Sequence, residues 1–587
     1  MISRIAQRLD PITFEVIKYN LDSIADQAAI TLFRSAYSAI VRDSLDYSTA
    51  VFDGRARMLA QGLTTPMHIG SFPDAMKTLM TKYEGAIHPG DVFIANDPYT
   101  AGGMHLPDVY IIKPVFFEGE RIAFATTLTH LADVGGITPG SNPVHSTEIY
   151  QEGLRLPVLK LYERGQPDET LIEILETNTR LPVKLMGDIR AQIAGCRTAE
   201  LALMRLFGRY GAAELELYFD ELVDYSERVM RAELSALPDG EYEFTDYIDG
   251  LGEDPEPIVF QVKVTIDGDE MHVDWTGSSD QVKAGINAPY PFTKAATYLV
   301  ARLLVRQDVP NSEGYFRPLT TFAPEGSILN PVEPAGCATR GITGMRAVDT
   351  LLGALAAAVP DRIPACMGGD NYWPTFGGVH EGKPFVHVES VMGPWGGRPI
   401  RDGISGGPHP GGNQPNQPVE MVEAKHPLQI TEYAIRQDAT GAGRWRGGNG
   451  MVREYRLLAD EAVLTLRTSR RTALPYGLQG GRPGTPAYNV LDPGPTQRIL
   501  PTLPMEAVPL RRGEVLRIEL AGAGGWGDPL EREPWRVLED FLDEKISLEH
   551  AREQYGVVIG AQSREVDEEA TRALRERLSG AGEDRPS

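Results

Sequence analysis

At 587 residues, with 42% hydrophobic and 24% charged residues, the chain has an ordinary globular composition and is too long for a single core, so about three domains are expected. A net charge of −24 argues against nucleic acid or an anionic membrane as a partner. Three isolated cysteines (Cys196, Cys337, Cys366), a charged N-terminus and the lack of any apolar run near the ~18 residues of a membrane span predict buried thiols in a soluble, cytoplasmic protein.

Asp10-Pro11 is a helix start, an N-cap followed by proline at the first helical position. Ile17, Leu21, Ile24, Ala28 and Leu32 then recur at helical spacing, predicting an amphipathic helix to about Ser38. The stretch VRDSLDYSTAVFDGRARMLAQG reads as a hairpin turning at Asp53-Gly54, with Asp43 and Asp46 just before its first strand.

The stretch Asn96 to Gly136 carries the densest chemistry. It holds His-x-x-Asp twice, as His105-Leu-Pro-Asp108 and His130-Leu-Ala-Asp133, in a protein with 11 histidines. Between the copies, Val109–Phe117 and Ile122–Leu128 are rich in β-branched and aromatic residues, and Glu118–Arg121 suits a turn. Pairing Phe117 with Ile122 places His130 opposite Val109 and Asp108 opposite Leu131, so both patterns reach the open end of one hairpin. Pro114 predicts an edge or a bulge in the first strand. Two imidazoles and a carboxylate on one rim suit a divalent metal that takes mixed N/O ligands. Asp133, Asp43 and Asp46 are candidates for a further ligand or an orienting carboxylate, and His68 is the other nearby histidine.

A long Gly/Pro/Ser-containing loop follows, with His145, Glu148 and Glu152 as candidate substrate-binding residues. From about Asp168 to Leu237 the pattern is helical. Alternating strands with an Asp267-Gly268 turn open a central part, followed by helices near Phe292–Val305 and Thr343–Val359 and by a Gly/Pro-rich stretch from Met367 to Asn416, read as an ordered functional loop system. A β-rich part runs to about Leu520, and the last fifty or so residues are helical before a frayed AGEDRPS. The expected architecture is α+β, a multidomain mixed fold of antiparallel β-sheets and helical segments. Its parts are an N-terminal domain with the metal-binding hairpin (1–237), a central α+β domain with Gly/Pro-rich loops (238–427), a β-rich domain (428–530) and a helical tail (531–587). Gly522-x-Gly524-x-x-Gly527 follows a strand, but Asp528-Pro529 after it reads as a turn, so no dinucleotide site is expected; GxxxxGK[ST] and GxSxG are absent.

The stretches DPITFEVI, DYSTAVFD, MHIGSFP, GDVFIANDPYTAGGMHLPDV, HLADVGG, STEIYQEGLRLP, NQPVEM, GRWRGGNGMVREYRL and GAGGWGDPLEREPWRVLEDF together resemble the hydantoinase B/5-oxoprolinase family over nearly the whole chain. The resemblance implies a metal (Mn, Zn or Fe) held by His105, Asp108 and His130. It matches Asp43 by position to a fourth, acidic ligand, with Asp46 remaining open because RDSLD stands where relatives often carry glutamate. It further implies a hetero-oligomer with an A-type subunit that binds ATP and Mg and phosphorylates a cyclic amide. This chain would then hydrolyse the activated ring, with Asp133 or His68 as base or water-orienting group. Alternatives are a subunit of an ATP-dependent acetone/acetophenone-type carboxylase and a non-catalytic structural subunit.

Overall fold

The structure, a computed structural model, describes residues 9–62, 65–369 and 372–580; the AGEDRPS tail lies outside them. Asp10 accepts a hydrogen bond from the Thr13 amide at 2.9 Å and opens helix α1, Pro11–Ser35. Its apolar stripe (Ile17, Leu21, Ile24, Ala28, Leu32) is buried as the spacing predicts.

The N-terminal part is built on one antiparallel seven-stranded sheet. Its strands are β1 (Tyr47–Asp53), β2 (Met58–Gln61), β3 (Val92–Ala95), β4 (Asp108–Phe117), β5 (Glu120–His130), β6 (Leu159–Glu163) and β7 (Gln166–Pro167), in the order β2-β1-β5-β4-β3-β6-β7. Side chains alternate across a strand, and β4 is buried on both faces. Val109, Ile111 and Val115 join a core with α1 and the helix Pro182–Tyr210, whereas Tyr110 and Ile112 join one with the helix Phe72–Tyr83 and the central part of the chain. The parity of each residue therefore decides which layer it meets.

The β4–β5 register differs by one residue from the sequence expectation. Glu118 and Gly119, at φ 50° and 89°, make a two-residue turn with Phe117 paired to Glu120, and a bulge between Val115 and Phe116 restores one residue. A tight turn of two left-handed residues matches the twist of the strands better than the four-residue turn read from sequence. Asp108 consequently pairs with His130. Pro114 lies past the last residues of β4 that pair with β3, next to the bulge, where its missing N–H breaks no ladder bond.

Helices Glu169–Thr177, Pro182–Tyr210 and Ala212–Leu234 follow. The central sheet is Gly240–Ile248, Ile258–Asp267, Glu270–Asp274 and Leu319–Phe322, antiparallel except for the last pair, which is parallel. The helix Gly341–Ala358 is buried almost all round and packs on Tyr290–Leu304 and the central sheet, as expected of a helix apolar on every side. The largest apolar core runs from Ala50 to Ile363 and on to Leu503, so it crosses position 237. The Gly/Pro-rich stretch contains two strands that the sequence reading did not foresee, Trp373–His380 and Lys383–Val388, in a four-stranded sheet with Glu461–Arg467 and Val508–Arg511. A five-stranded sheet and the helices Pro534–Leu542, Leu548–Tyr555 and Glu568–Gly580 complete the α+β fold. Gly522 and Gly524 serve backbone packing: a Cβ there would lie 2.1 Å from the Ala439 carbonyl and 2.0 Å from that of Tyr476. The three-residue turn Pro529–Glu531 comes next, ahead of the helix Pro534–Leu542. No helix among the described residues is long and apolar enough to cross a membrane.

Two glycines test this packing with opposite signs. A Cβ on Gly344 would fall 2.1 Å from the Phe292 ring, whereas one on Gly208, in the exposed last turns of its helix, meets nothing within 4 Å. Gly344→Ala is expected to destabilise by about 1–3 kcal/mol through overpacking, and Gly208→Ala to stabilise by about 0.5–1 kcal/mol through helix propensity. Thermal melting of both variants beside the parent checks the pair.

Candidate functional site

Asp108 and His130 are even-numbered positions on paired strands, so both leave the sheet on the face that meets the central part of the chain. His105, in the turn before β4, arrives beside them: its ring centre lies 5.0 Å from that of His130 and its Nε2 3.2 Å from Asp108 Oδ1. The His105 Nδ1–H donates to the Ala338 carbonyl at 2.8 Å, which fixes the tautomer and turns the Nε2 lone pair toward the carboxylate. Two acceptors thus face each other. His105 Nε2, Asp108 Oδ1 and both ring nitrogens of His130 have no hydrogen-bond partner among the described residues, although all three side chains are buried. Buried polar atoms are rarely left so.

The charges around them are set by burial. Burial and Arg340 lower His105 to about 4, and burial drives His130 well below the usual histidine value, so both rings are neutral near pH 7. Burial would raise Asp108, but His105 and the Arg340 guanidinium, which donates to its Oδ2, hold it well below the usual carboxylate range. Arg340 in turn lies over the Phe292 ring at 4.7 Å. His68 is the third imidazole. Its Nδ1 meets Ser48 Oγ at 3.0 Å, and its Nε2 lies 3.7 Å from Asp46 Oδ1 and 4.0 Å from Asp108 Oδ2; burial lowers it to about 3. Burial and the Asp108 charge push Asp46 up to about 7. A narrow cavity of about 30 Å³ opens among Asp46, His68, His130, Arg340, Trp373, Gln414 and Arg467. Arg467 stacks on Trp373 at 4.6 Å, and Trp373 lies 5.4 Å from His130.

A sequence model of the family described as Hydantoinase B/oxoprolinase matches residues 10–529. The chain belongs to that family. It is 34% identical to a Pseudomonas sp. (strain NS671) protein provisionally named as the B component of a D-/L-hydantoinase, over 97% of this chain and 98% of that one. It is 32% identical to the beta chain of the caprolactamase of Pseudomonas jessenii, over 97% and 99% of the two chains. The crystal structure of the ATP-dependent caprolactamase from that organism matches at a TM-score of 0.89, with 30% identity over 97% of this chain and 100% of that one. A nucleotide-free acetone carboxylase structure superposes with a TM-score of 0.91 at 19% identity, over 99% and 84% of the chains, which shows a shared fold.

Of the residues singled out in this hydantoinase B/oxoprolinase chain, the structure gathers His105, Asp108, His130 and His68. Asp43 is placed elsewhere, its carboxylate bound to Arg42 at 3.2 Å and Lys425 at 2.8 Å, and Asp46 stands in the cluster instead. The break after the short helix Ala39–Arg42 turns Asp43 outward and Asp46 inward. Asp133 is buried but fully engaged. It accepts from the amides of Gly135, Gly140 and Arg180, from the Arg180 guanidinium and from Thr179, so it anchors the loop and has no lone pair to spare for a base.

His145, Glu148 and Glu152 do not line one pocket. His145 is half-buried and feels the charge of Glu506, Glu148 is exposed, and Glu152 is wholly buried. Glu152 accepts from Ser146 Oγ at 2.6 Å and from the Cys337 amide at 2.8 Å. It thereby holds the segment whose Ala338 carbonyl orients His105. Arg340, Trp373, Gln414 and Arg467 were not foreseen. The available signal was an arginine among small residues in CATRGITG, at the start of an apolar helix.

As the side chains stand, no three His, Cys, Asp or Glu residues among the described ones are arranged to hold a metal ion. The donor chemistry nevertheless fits one, because the unpartnered atoms are imidazole nitrogens and a carboxylate oxygen, with His105 Nε2 facing Asp108 Oδ1 and the His130 ring beside them.

Burial pushes Glu152 up to about 8. A buried acid with a raised value binds its proton longer than the unfolded chain does, so stability is greatest below the unfolded value near 4.5 and is lost as pH rises toward 8. Glu152→Gln keeps an acceptor without the charge, so its melting temperature is expected to fall less than the parent's between pH 5 and 8. Melting curves of the two across that range check it.

Proposed function

We propose that this chain is the ring-opening subunit of an ATP-dependent cyclic amidase, acting on a lactam or hydantoin ring that an A-type partner activates with ATP. The reading is supported by the family and by one observation above all: His105 Nε2, Asp108 Oδ1 and the His130 ring are buried, neutral or anionic, and unpartnered beside a cavity walled by two guanidiniums. His105, Asp108 and His130 would hold a divalent metal (Mn, Zn or Fe), with Asp46 rather than Asp43 as the adjacent carboxylate. A metal bound there supplies Lewis acidity and lowers the pKa of a coordinated water toward neutrality.

The remaining work falls to this chain's own side chains. His68, neutral and fixed through Nδ1 by Ser48, turns Nε2 toward the carboxylates of Asp46 and Asp108, where it accepts a hydrogen bond and orients a water rather than taking its proton, because burial lowers it to about 3. Arg340 and Arg467 put positive charge on the cavity wall, where negative charge on the amide oxygen of an opening ring is stabilised. Arg340 also holds one oxygen of Asp108 and leaves the other turned toward His105. Glu152 and the Ala338 carbonyl keep the His105 ring in place, as partners of metal-binding histidines commonly do.

Asp108→Asn in the assembled two-subunit enzyme is expected to lower metal content and abolish ring-opened product while ATP hydrolysis by the partner persists. Asp43→Asn should leave both near the parent level. Elemental analysis, ATP hydrolysis and product are measured on the same preparations; an Asp108→Asn enzyme with normal metal and normal product overturns the proposal.

A further inference from the structure

A second cavity, of about 280 Å³, lies on the outer side of the segment that covers the candidate site. Its floor is apolar: Leu352 and Met367 are buried and Trp395 is half-buried. Its rim carries three arginines, which is unusual in a chain of net charge −24. Arg398 and Arg401 face each other across a two-residue turn, with backbone bonds of 2.9 and 3.3 Å, and Ile400 at the tip is 75% exposed. Arg362 enters from the turn after the helix Gly341–Ala358.

Among the described residues, few groups are bonded to these guanidiniums. Arg398 donates to the Asp402 carbonyl at 2.6 Å, and Arg362, among the described residues, to the Leu304 carbonyl at 3.4 Å. The Arg401 guanidinium has no ion pair or hydrogen bond among the described residues. The Asp402 carboxylate is already taken by Arg532 at 2.6 and 2.9 Å. Asp361 is the one carboxylate among the described lining residues, and it is exposed. Burial first and the adjacent Arg401 second lower the Arg398 guanidinium, against the opposing charge of Asp402. An anion between them would offset that repulsion, and guanidinium forks match the oxygens of phosphate and carboxylate.

The cavity is also one segment away from the candidate site. Pro410 lines it, whereas Gly412 lines the inner cavity with His68 and Met345. Gly411 between them is pressed onto the same wall; a Cβ there would fall 2.5 Å from Met345 Sδ and 2.9 Å from Met67.

The geometry points to an anion-binding vestibule: Arg362, Arg398 and Arg401 hold the oxyanion of a small phosphate ester or carboxylate while Trp395, Leu352 and Met367 take its apolar body. The placement of this vestibule before the ring-opening site rests on the function proposed above; the binding itself does not. Charge attracts the ligand to the mouth, and the apolar floor selects against inorganic anions.

The test is titration calorimetry of the full chain with phenyl phosphate, benzoate and inorganic phosphate. Saturable binding of phenyl phosphate or benzoate, tighter than that of inorganic phosphate, is expected, and the tighter of the two organic anions identifies the acid group. Arg401→Ala and Arg362→Ala should each weaken binding about tenfold, as loss of a charge-assisted hydrogen bond does, and Arg401→Lys should recover part of it. Melting temperatures near the parent's show that these rim variants fold. Unchanged affinity in both alanine variants, or no saturable binding of either organic anion, overturns the vestibule. Asp108→Asn separates the two proposals, because it should bind phenyl phosphate like the parent; the vestibule can therefore fail with the ring-opening site intact, and the reverse.

Discussion

Asp108 and His130 are direct partners across the β4–β5 ladder. Because successive side chains point to opposite faces, that pairing sends both to the face that meets the central part of the chain. Shifting β4 by one residue would exchange the even-numbered Tyr110 and Ile112 with the odd-numbered Val109 and Ile111, which pack in different cores. The apolar packing on both faces of β4 thus fixes the register, and the register fixes the chemistry. The bulge between Val115 and Phe116 and the left-handed pair Glu118-Gly119 are the local adjustments that let the two-residue turn and this register coexist.

The cost of gathering so many ionisable groups in a dry place is met by distributing charge unevenly. Histidines are kept neutral by burial, Asp108 is kept ionised beside Arg340, and Asp46 holds its proton to about 7. A buried carboxylate left alone would neutralise itself. His105 and Arg340 together therefore keep Asp108 ionised, and Arg340 sits at the N-terminal edge of the buried helix Gly341–Ala358, in a segment held by Glu152. Sheet and central part meet at this pair, so the site belongs to the interface between them.

The glycine-dense loops follow from the same crowding. Gly411 and Gly412 pass between two cavities with methionine side chains against them, and Gly403, Gly448 and Gly522 lie within about a carbon's reach of other backbones. Side chains at these positions would force the packed segments apart, which is why composition there departs from the rest of the chain.

How much of this was legible follows from range. The helix from Asp10, the β1–β2 and β4–β5 hairpins, the helical run to Leu234 and the convergence of His105, Asp108 and His130 rest on periodicity, capping and turn residues within about thirty positions, and the sequence carries that information locally. The register did not, because a bulge and a tight turn differ from a four-residue loop by small backbone energies that packing on both faces decides. Neither did the choice between Asp43 and Asp46, the anchoring roles of Asp133 and Glu152, or the arrival of Arg340, Trp373, Gln414 and Arg467, each more than 200 residues from Asp108 in the chain. Which carboxylate faces a histidine and which is spent on Lys425 or Arg180 is set by burial and by partners distant in sequence, and those exist only once the chain has folded.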